Sequence, residues 1–161
     1  VSLLYVMKNG ESAEIAIVGN EGMIGVPLFM GGESTQSRAI VQNAGYAYRL
    51  KAQVLKDEFH GGGALQRLLL LFASALITQM VQTAACNRHH PVDKQLCRWM
   101  LLSLDRLPSN RISMTEKLVG NMLGLNSVQV TKAANVLRRA GLIDYDAGEI
   151  MVLDRPGVEK R

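Results

Sequence analysis

Residues 126–139, NSVQVTKAANVLRR, carry hydrogen-bonding and basic side chains at the spacing of one helix face. At 100° per residue, Val130, Ala133, Ala134 and Leu137 fall on one side and polar groups on the other. Lysine and asparagine can hydrogen-bond to base edges or phosphates, and valine and threonine methyl groups can contact thymine. The candidate residues for such contacts with DNA are Thr115, Asn126, Ser127, Val128, Gln129, Thr131, Lys132, Asn135 and Arg138.

The positive charge of the chain lies in its second half. Residues 1–86 hold six Lys/Arg and six Asp/Glu, whereas residues 87–161 hold twelve and eight, which accounts for the net charge of +4. Between Arg106 and Arg139, six basic residues accompany a single acid, Glu116. This asymmetry is typical of a phosphate-facing surface, although a run of charge is more often a solvated face.

Two helices joined by a short turn are predicted to position the candidate side chains. The first begins near Ser113 or Thr115, with Glu116 spaced from Ser113 as in a capping box, and Gly124 ends it. The second covers residues 127–140.

Asn126 and Ser127 can cap the second helix, and Gly141 suits the left-handed residue that ends it. Residues 142–153, LIDYDAGEIMVL, then predict two short strands around the turn Asp146-Ala147-Gly148. Helix, turn, helix and hairpin together predict a winged helix-turn-helix, an ending that few enzymes have.

The first sixty residues show the two-residue alternation of strands. Strands are predicted at SLLYV (residues 2–6) and at residues 13–18, 38–42 and 46–50, with glycine- and asparagine-containing turns between them. This pattern predicts an antiparallel β region with short connections.

After the glycines at 61–63 the apolar period becomes helical for more than twenty residues. Such a helix spans about 30 Å, so we expect part of its stripe to pack against a second copy of the chain. Residues 87–91, NRHHP, predict a hinge, and a further helix follows in which Trp99 is a core anchor. The residues assigned to the dimer helix are Leu65, Leu68, Leu69, Phe72, Leu76, Met80 and Thr83.

Several other functions are disfavoured by the sequence. Cys86 and Cys97 lie eleven residues apart without a ligand set around them, so reduced thiols are expected and a zinc or iron–sulfur site is not. His89 and His90 point in different directions and have no local carboxylate partner. No nucleophile–base pair, phosphate-binding glycine loop or metal set indicates an enzyme, and no cofactor is identifiable.

Targeting signals are equally sparse. No apolar run reaches the roughly eighteen residues of a membrane span, so a soluble protein is expected. The chain starts with VSLLYV, without a methionine or a basic signal region and already resembling the inside of a strand. We therefore expect an N-terminally truncated fragment.

The segment MTEKLVGNMLGLNSVQVTKAANVLRRAGLI resembles the C-terminal domain of the Crp/Fnr (cyclic-AMP receptor protein / fumarate-nitrate reductase regulator) family of bacterial transcription regulators. Gly120, Gly124, Val130, Leu137 and Gly141 fall at the family's spacing without a gap. The resemblance covers essentially the whole chain, although the first strands of the family's β-roll are missing.

The resemblance implies an α+β fold with three parts. These are a partial effector-type β-roll of the cyclic-nucleotide-binding type at residues 1–62, a dimerisation helix at 63–88 and a winged-helix DNA-binding domain at 89–161. It also implies a cytoplasmic bacterial homodimer that binds double-stranded DNA and regulates transcription, with RNA polymerase as a further partner.

The second helix departs from the family at three positions. Relatives commonly have Arg and Glu at its start and another Arg four residues after the Glu, where this chain has Ser127, Val128 and Lys132. Arg can donate two hydrogen bonds to guanine, and Glu can accept a hydrogen bond from cytosine. Their absence here predicts a half-site that prefers A/T base pairs or one that is recognised through DNA shape. The acids Asp144, Asp146 and Glu149 also place negative charge in the wing. The alternative is an effector-binding dimer that has lost specific DNA readout and acts through protein contacts.

The roll departs from nucleotide-binding relatives too. Where they have a Gly-Glu pair for the ribose and an Arg-Ser/Thr-Ala run for the phosphate, this chain has Gly22-Met23 and Ser37-Arg38-Ala39. Methionine cannot accept a hydrogen bond from a ribose hydroxyl as a carboxylate does, so tight cyclic-AMP binding is not expected and the effector stays unknown. The candidate effector pocket comprises Gly22, Met23, Gly25, Ser37 and Arg38.

Overall fold

The computed structural model describes residues 1–146 and 148–161. Ala147 lies outside them, and with it the middle of the predicted turn Asp146-Ala147-Gly148. In chain order the elements are β1 (Ser2–Val6), β2 (Ser12–Ile17), α1 (Val26–Phe29), β3 (Ser37–Ile40), α2 (Ala52–His60), α3 (Ala64–His89), α4 (Val92–Leu104), β4 (Arg111–Ser113), α5 (Glu116–Leu123), α6 (Ser127–Arg139), β5 (Ile143–Asp146), β6 (Glu149–Val152) and α7 (Arg155–Glu159).

The described chain combines helices with two antiparallel sheets, which confirms the predicted α+β class. The first sheet has the order β2-β1-β3 and the second the order β4-β6-β5. β4 and α7 were not predicted, and Ser113, suggested as a start of α5, lies instead in β4 and pairs with Glu149. The cap of α5 is Thr115, whose side chain accepts a hydrogen bond from the backbone N–H of Leu118.

The predicted strand at residues 46–50 is wrong. A strand needs a hydrogen-bonded neighbour, and within the described residues no strand of the first sheet pairs with this segment. Tyr46 and Tyr48 are fully exposed. Residues 52–60, which follow, form the helix α2, which was not predicted. Burial of Leu55 and packing of Phe59 against the core of the roll hold this helix in place.

The 26-residue helix α3 packs one face against its own roll. Leu69, Ala73 and Leu76 are buried there, and Phe72 and Met80 pack beside them. Thr83 is also engaged within the chain, because it accepts a hydrogen bond from Arg98 Nη1 at 3.0 Å.

This packing changes the assignment of the dimer stripe. Among the seven residues assigned to the dimer helix, only Leu65 and Leu68 are exposed. The helical periodicity of the apolar residues had identified the face of α3 that packs on the roll. The opposite face of α3 is also apolar, and its exposed large side chains are Leu68, Leu70, Leu71, Ile77 and Val81.

The same apolar character gives α3 an 18-residue window of mean hydropathy 1.7, long enough to span a membrane by length and composition alone. The expectation that no such stretch exists was therefore wrong. It had counted uninterrupted apolar runs, whereas the mean hydropathy of this helix stays high because its many Leu, Ile, Val and Ala side chains outweigh the Ser, Thr and Gln side chains between them. A single helix of this kind is weak evidence of a membrane span, because core helices of soluble proteins meet the same criterion.

Two clusters of buried side chains form the interior. One joins α3 to the roll through Leu3, Ala16 and Val18. The other is the core of residues 92–158, and it also takes in Leu4 and Ile17 from the roll. The first sheet therefore contacts α3 with some residues and the C-terminal helices with others.

Candidate nucleic-acid interface

The first turn of α6 is fixed by a reciprocal capping box. The side-chain oxygen of Asn126 accepts from the backbone N–H of Gln129 at 2.9 Å, and Gln129 Oε1 accepts from the backbone N–H of Asn126 at 3.1 Å. These bonds satisfy two donors that a helix start would otherwise leave without partners. The Asn-Ser-Val-Gln sequence at this helix start therefore has a structural role, and Gln129 keeps only its amide nitrogen for other contacts.

Glycine permits the tight turn between α5 and α6. Gly124 ends α5 in the left-handed region at φ 68°, and the backbone N–H of Leu125 then returns to the carbonyl of Gly120 at 2.8 Å. This geometry brings the start of α6 close against the last turn of α5.

The two faces of α6 are as the sequence indicated. Val130, Ala133, Ala134 and Leu137 are buried in the C-terminal core. On the other face Ser127, Val128, Gln129, Lys132 and Arg138 are exposed, whereas Thr131 and Asn135 are half-buried. Val128 is 60% exposed, so one apolar side chain lies among the polar groups of this face.

An open groove of about 590 Å³ runs between α6 and the hairpin of β5 and β6. It brings together five of the nine candidate residues: Thr115, Ser127, Thr131, Asn135 and Arg138. The other four, Asn126, Val128, Gln129 and Lys132, are exposed but do not line it. The groove is also lined by Glu116, Lys117, Tyr145, Asp146 and Gly148, which the candidate set omitted.

Tyr145 is the omission that sequence reasoning had least means to find. It lies in β5 and lines the groove opposite the polar face of α6. Burial raises the pKa of its phenol, and the nearby Glu116 carboxylate adds to the effect. The neutral hydroxyl can donate to or accept from a ligand in the groove.

Thr131 has its hydroxyl committed within the helix. Its Oγ1 donates to the carbonyl of Ser127 at 2.8 Å, so its methyl group is what remains for outward contact. Together with the side chain of Val128, this places two apolar groups on the exposed half of α6.

The charges around the groove are mixed. Lys117 and Arg138 line it with Glu116 and Asp146. The acidic wing noted in the sequence is partly compensated, because Arg111 Nη1 lies 2.9 Å from Glu149 Oε2 in an exposed ion pair. Exposed pairs of this kind contribute little to stability but do reduce the local negative field.

The candidate effector residues of the roll lie in two separate segments, before α1 and in β3. Gly22 lies beneath the ring of Phe72, where a β-carbon would collide with the side chain, and Met23 packs against the core of the roll. Gly25 caps α1 with φ 101°, whereas Ser37 and Arg38 lie in β3. Within the described residues, no group of three or more His, Cys, Asp and Glu could hold a metal ion.

Comparison with known proteins agrees with this geometry. Residues 94–161 match the family described as the Crp-like helix-turn-helix domain. The comparison with curated proteins gave no match.

Solved structures extend the likeness in fold over nearly the whole chain. A CRP-family transcriptional regulator of Thermus thermophilus superimposes with a TM-score of 0.80 at 14% identity, covering 99% of this chain and 81% of that one. A CRP/FNR-family regulator of the same organism gives 0.67 at 18% identity with the same coverage of both chains. FixK2 of Bradyrhizobium japonicum superimposes with a TM-score of 0.68 at 14% identity, covering 99% of this chain and 81% of that one. Residues 94–161 thus form a Crp-like helix-turn-helix domain, and the chain as a whole shares the fold of solved Crp/Fnr regulators.

Proposed function

We propose that this protein is a transcription regulator of the Crp/Fnr type that forms a homodimer, binds DNA through the exposed face of α6 and prefers half-sites containing A/T base pairs. The observation that carries the proposal is the groove between α6 and the β5–β6 hairpin, which gathers polar side chains beside a helix whose other face is buried. A helix exposed in this way can enter the major groove of DNA.

Base readout is assigned to a small set of side chains on α6. Asn135 is half-buried in the groove and can pair with adenine, whereas Lys132 is exposed and can reach guanine or a phosphate. Val128 and the methyl group of Thr131 can contact the thymine methyl. Because α6 offers no arginine before Arg138, bidentate arginine–guanine contacts are absent from its first turns.

Positioning on the phosphates is assigned to groups at the edges of the groove. Thr115, Ser127 and the amide nitrogen of Gln129 can donate to phosphate oxygens, and Asn126 holds the helix start in place. Arg138 supplies positive charge at the far end of α6. Such contacts fix the register without reading sequence.

Dimerisation is assigned to the exposed apolar face of α3. Leu68, Leu71 and Val81 are 62%, 58% and 64% exposed, and residues 68–87 contain no charged side chain. At 1.5 Å per residue, 26 helical residues span about 39 Å, enough for an extended seam with the same helix of a second copy. Two winged helices held by such a seam can meet major grooves about 34 Å apart.

The roll is proposed to sense an effector other than cyclic AMP. This rests on Gly22 and Met23, which contact Phe72 and the core of the roll and offer no ribose-binding carboxylate. We expect the protein to act in the bacterial cytoplasm, where a promoter-bound regulator also meets RNA polymerase. It is not an enzyme, as expected of a regulator of this type.

A DNA-binding panel tests the central claim. Palindromic duplexes with A/T-containing or G/C-only half-sites would be compared with shuffled duplexes at one salt concentration. We expect tighter binding to the A/T-containing set, a loss of that preference in Asn135→Ala, and no such loss in the control Lys160→Ala outside the groove. Equal binding to every duplex, vanishing uniformly with salt, would favour the alternative of a dimer that has lost specific readout.

A further inference from the structure

A buried glutamate lies where the roll meets the DNA-binding domain. Glu14 on β2 is 7% exposed, a degree of burial that is rare for a carboxyl group without an ionic partner. It plays no part in the DNA contacts proposed above and does not belong to the candidate effector pocket.

A β-bulge directs Glu14 toward this junction. On β1, Leu3 pairs with Ala16 and the next residue, Leu4, pairs with Glu14, so that Ile15 has no partner of its own. Directly paired residues share a face of the sheet, and a bulge re-aims the side chains on one side of it. Glu14 consequently shares the face of Leu4, which packs in the core of the C-terminal domain, and not that of Leu3 and Ala16, which pack on α3.

The carboxyl group is surrounded by hydrogen-bond donors from the roll. Ser2 Oγ donates to Glu14 Oε2, and Gln42 Nε2 donates to the same oxygen at 3.1 Å. Gln42 also donates to Ser2. These three side chains come from β1, β2 and the segment after β3, so they connect all three strands on the face of the sheet toward the junction.

A small cavity of about 20 Å³ separates Glu14 from the helices of the other side. This is room for roughly one water molecule. Its walls come from four elements, namely β2, α3, α4 and α5, and include Glu14, Gln79, Thr83, Arg98, Trp99 and Met122. Within the described residues, the indole Nε1 of Trp99 is buried without a hydrogen-bond partner.

The charges facing Glu14 do not form a contact ion pair with it. Arg98 on α4 donates from Nη1 to Thr83 on α3, and the amino group of Val1 donates to the carbonyl of Val18 at 2.8 Å. α3 contributes the neutral Gln79, Thr83 and Asn87 to the cavity, and α5 contributes the apolar Met122 and Leu123. The carboxyl group therefore has neutral donors and an apolar wall, with positive charge farther away.

We propose that Glu14 controls the docking of the roll on the DNA-binding domain by its protonation. The two stay docked while its carboxyl group is protonated and separate when it ionises. The docked arrangement encloses the carboxyl between β2 and α4, where a neutral acid is tolerated and an unpaired carboxylate is costly. Separation of the two surfaces would let water solvate the carboxylate. Since α6 is rigidly attached to α4 through the shared core, docking would set the orientation of α6 relative to α3.

The size of the effect follows from proton linkage. Burial raises the pKa of docked Glu14 to about 7 from its ordinary 4.5, although the hydrogen bond from Ser2 and the positive charge of Arg98 act in the opposite direction. A separated, hydrated Glu14 would return to the ordinary value. The difference of about 2.5 units corresponds to a shift of up to roughly 300-fold in the docking equilibrium between acidic and alkaline pH.

The single tryptophan provides the probe, because Trp99 is 3% exposed and lines the cavity beside Glu14. Acrylamide is uncharged, and its quenching of tryptophan fluorescence reports how accessible the ring is. We expect the quenching constant of the wild-type protein to rise between pH 4.5 and 7 and to level off above pH 7, while circular dichroism shows that the protein stays folded. Glu14→Gln, which cannot ionise, should keep the low quenching constant throughout. Glu11→Gln, an exposed acid of the same hairpin, should titrate like wild type.

Two results would overturn the proposal: a flat quenching constant in folded wild-type protein, or the same rise in Glu14→Gln. The Glu14→Gln variant also tests whether the histidines cause the rise, because it retains all of them. Should Glu14→Gln fail to fold, carbon-13 NMR of glutamate-labelled wild-type protein replaces it. A carboxyl resonance with its midpoint between pH 5.5 and 7.5 supports the proposal, and titration of every glutamate below pH 5.5 rejects it.

Discussion

The carbonyl oxygen of Leu125 lies 2.6 Å from the point at which a β-carbon on Gly120 would stand. A carbon and an oxygen cannot approach so closely, and the atom in question is backbone that closes the turn between α5 and α6. Gly120 is therefore required by close approach and not by a left-handed conformation.

Gly120→Ala is expected to lower the free energy of unfolding by about 1–3 kcal/mol, the usual effect of overpacking a tight contact. Because the strain falls on the turn that positions α6, DNA binding should weaken as well. Urea denaturation measures the first effect. Gly45→Ala is the matched control, since a β-carbon at Gly45 meets nothing within 4 Å. An equal change in both variants would show that the Leu125 contact is unimportant.

Asn126→Ala is expected to destabilise the protein by about 1 kcal/mol through loss of the capping bonds at the start of α6. Asn126→Asp should retain most of the stability, because a carboxylate caps equally well and suits the positive end of the helix dipole. Asn126→Asp should nevertheless bind DNA more weakly than Asn126→Ala, since its new negative charge would lie near a DNA phosphate. Thermal denaturation and a DNA titration of the two variants test this prediction. If Asn126→Asp binds DNA as tightly as the wild-type protein, residue 126 lies away from the DNA phosphates.

Local sequence signals were sufficient for the helix-turn-helix because each of its features has a residue that marks it. Gly124 marks the turn, Asn126 the cap, and the apolar residues of α6 its buried face. The roll gave no comparable signals for α2, and its β-bulge at Ile15 depends on pairing between separate strands. Glu14 was likewise inconspicuous in sequence, because only the bulge and the packing of α4 reveal that it is enclosed.

The exposed face of α3 predicts the outcome of a charge substitution. Leu71→Lys should convert the dimer to monomer at micromolar concentration, because it buries an unpaired charge in the proposed seam and leaves the monomer core intact. Light scattering after size exclusion measures the change. Lys56→Glu on α2 is a control outside that face. A Leu71→Lys protein that remains dimeric would show that another surface forms the seam, and a wild-type protein recovered only with detergent would favour a membrane instead.

The burial of Glu14 also predicts a pH-dependent stability. The folded-state pKa of about 7 exceeds the ordinary value of 4.5, so between these limits the unfolded chain releases a proton that the folded protein retains. The free energy of unfolding should therefore fall as pH rises through this window, by at most about 3 kcal/mol from this group, and level off above pH 7. Below pH 4.5 the group is protonated in both states and contributes no pH dependence. Glu14→Gln should lack this slope, so its stability relative to wild type should increase from pH 5 to pH 7 and stay constant from there to pH 8 in urea denaturation. A difference between the two proteins that stays constant over that range would mean that Glu14 is already hydrated in the folded state, whereas a growing difference would place its proton in the junction between β2 and α4.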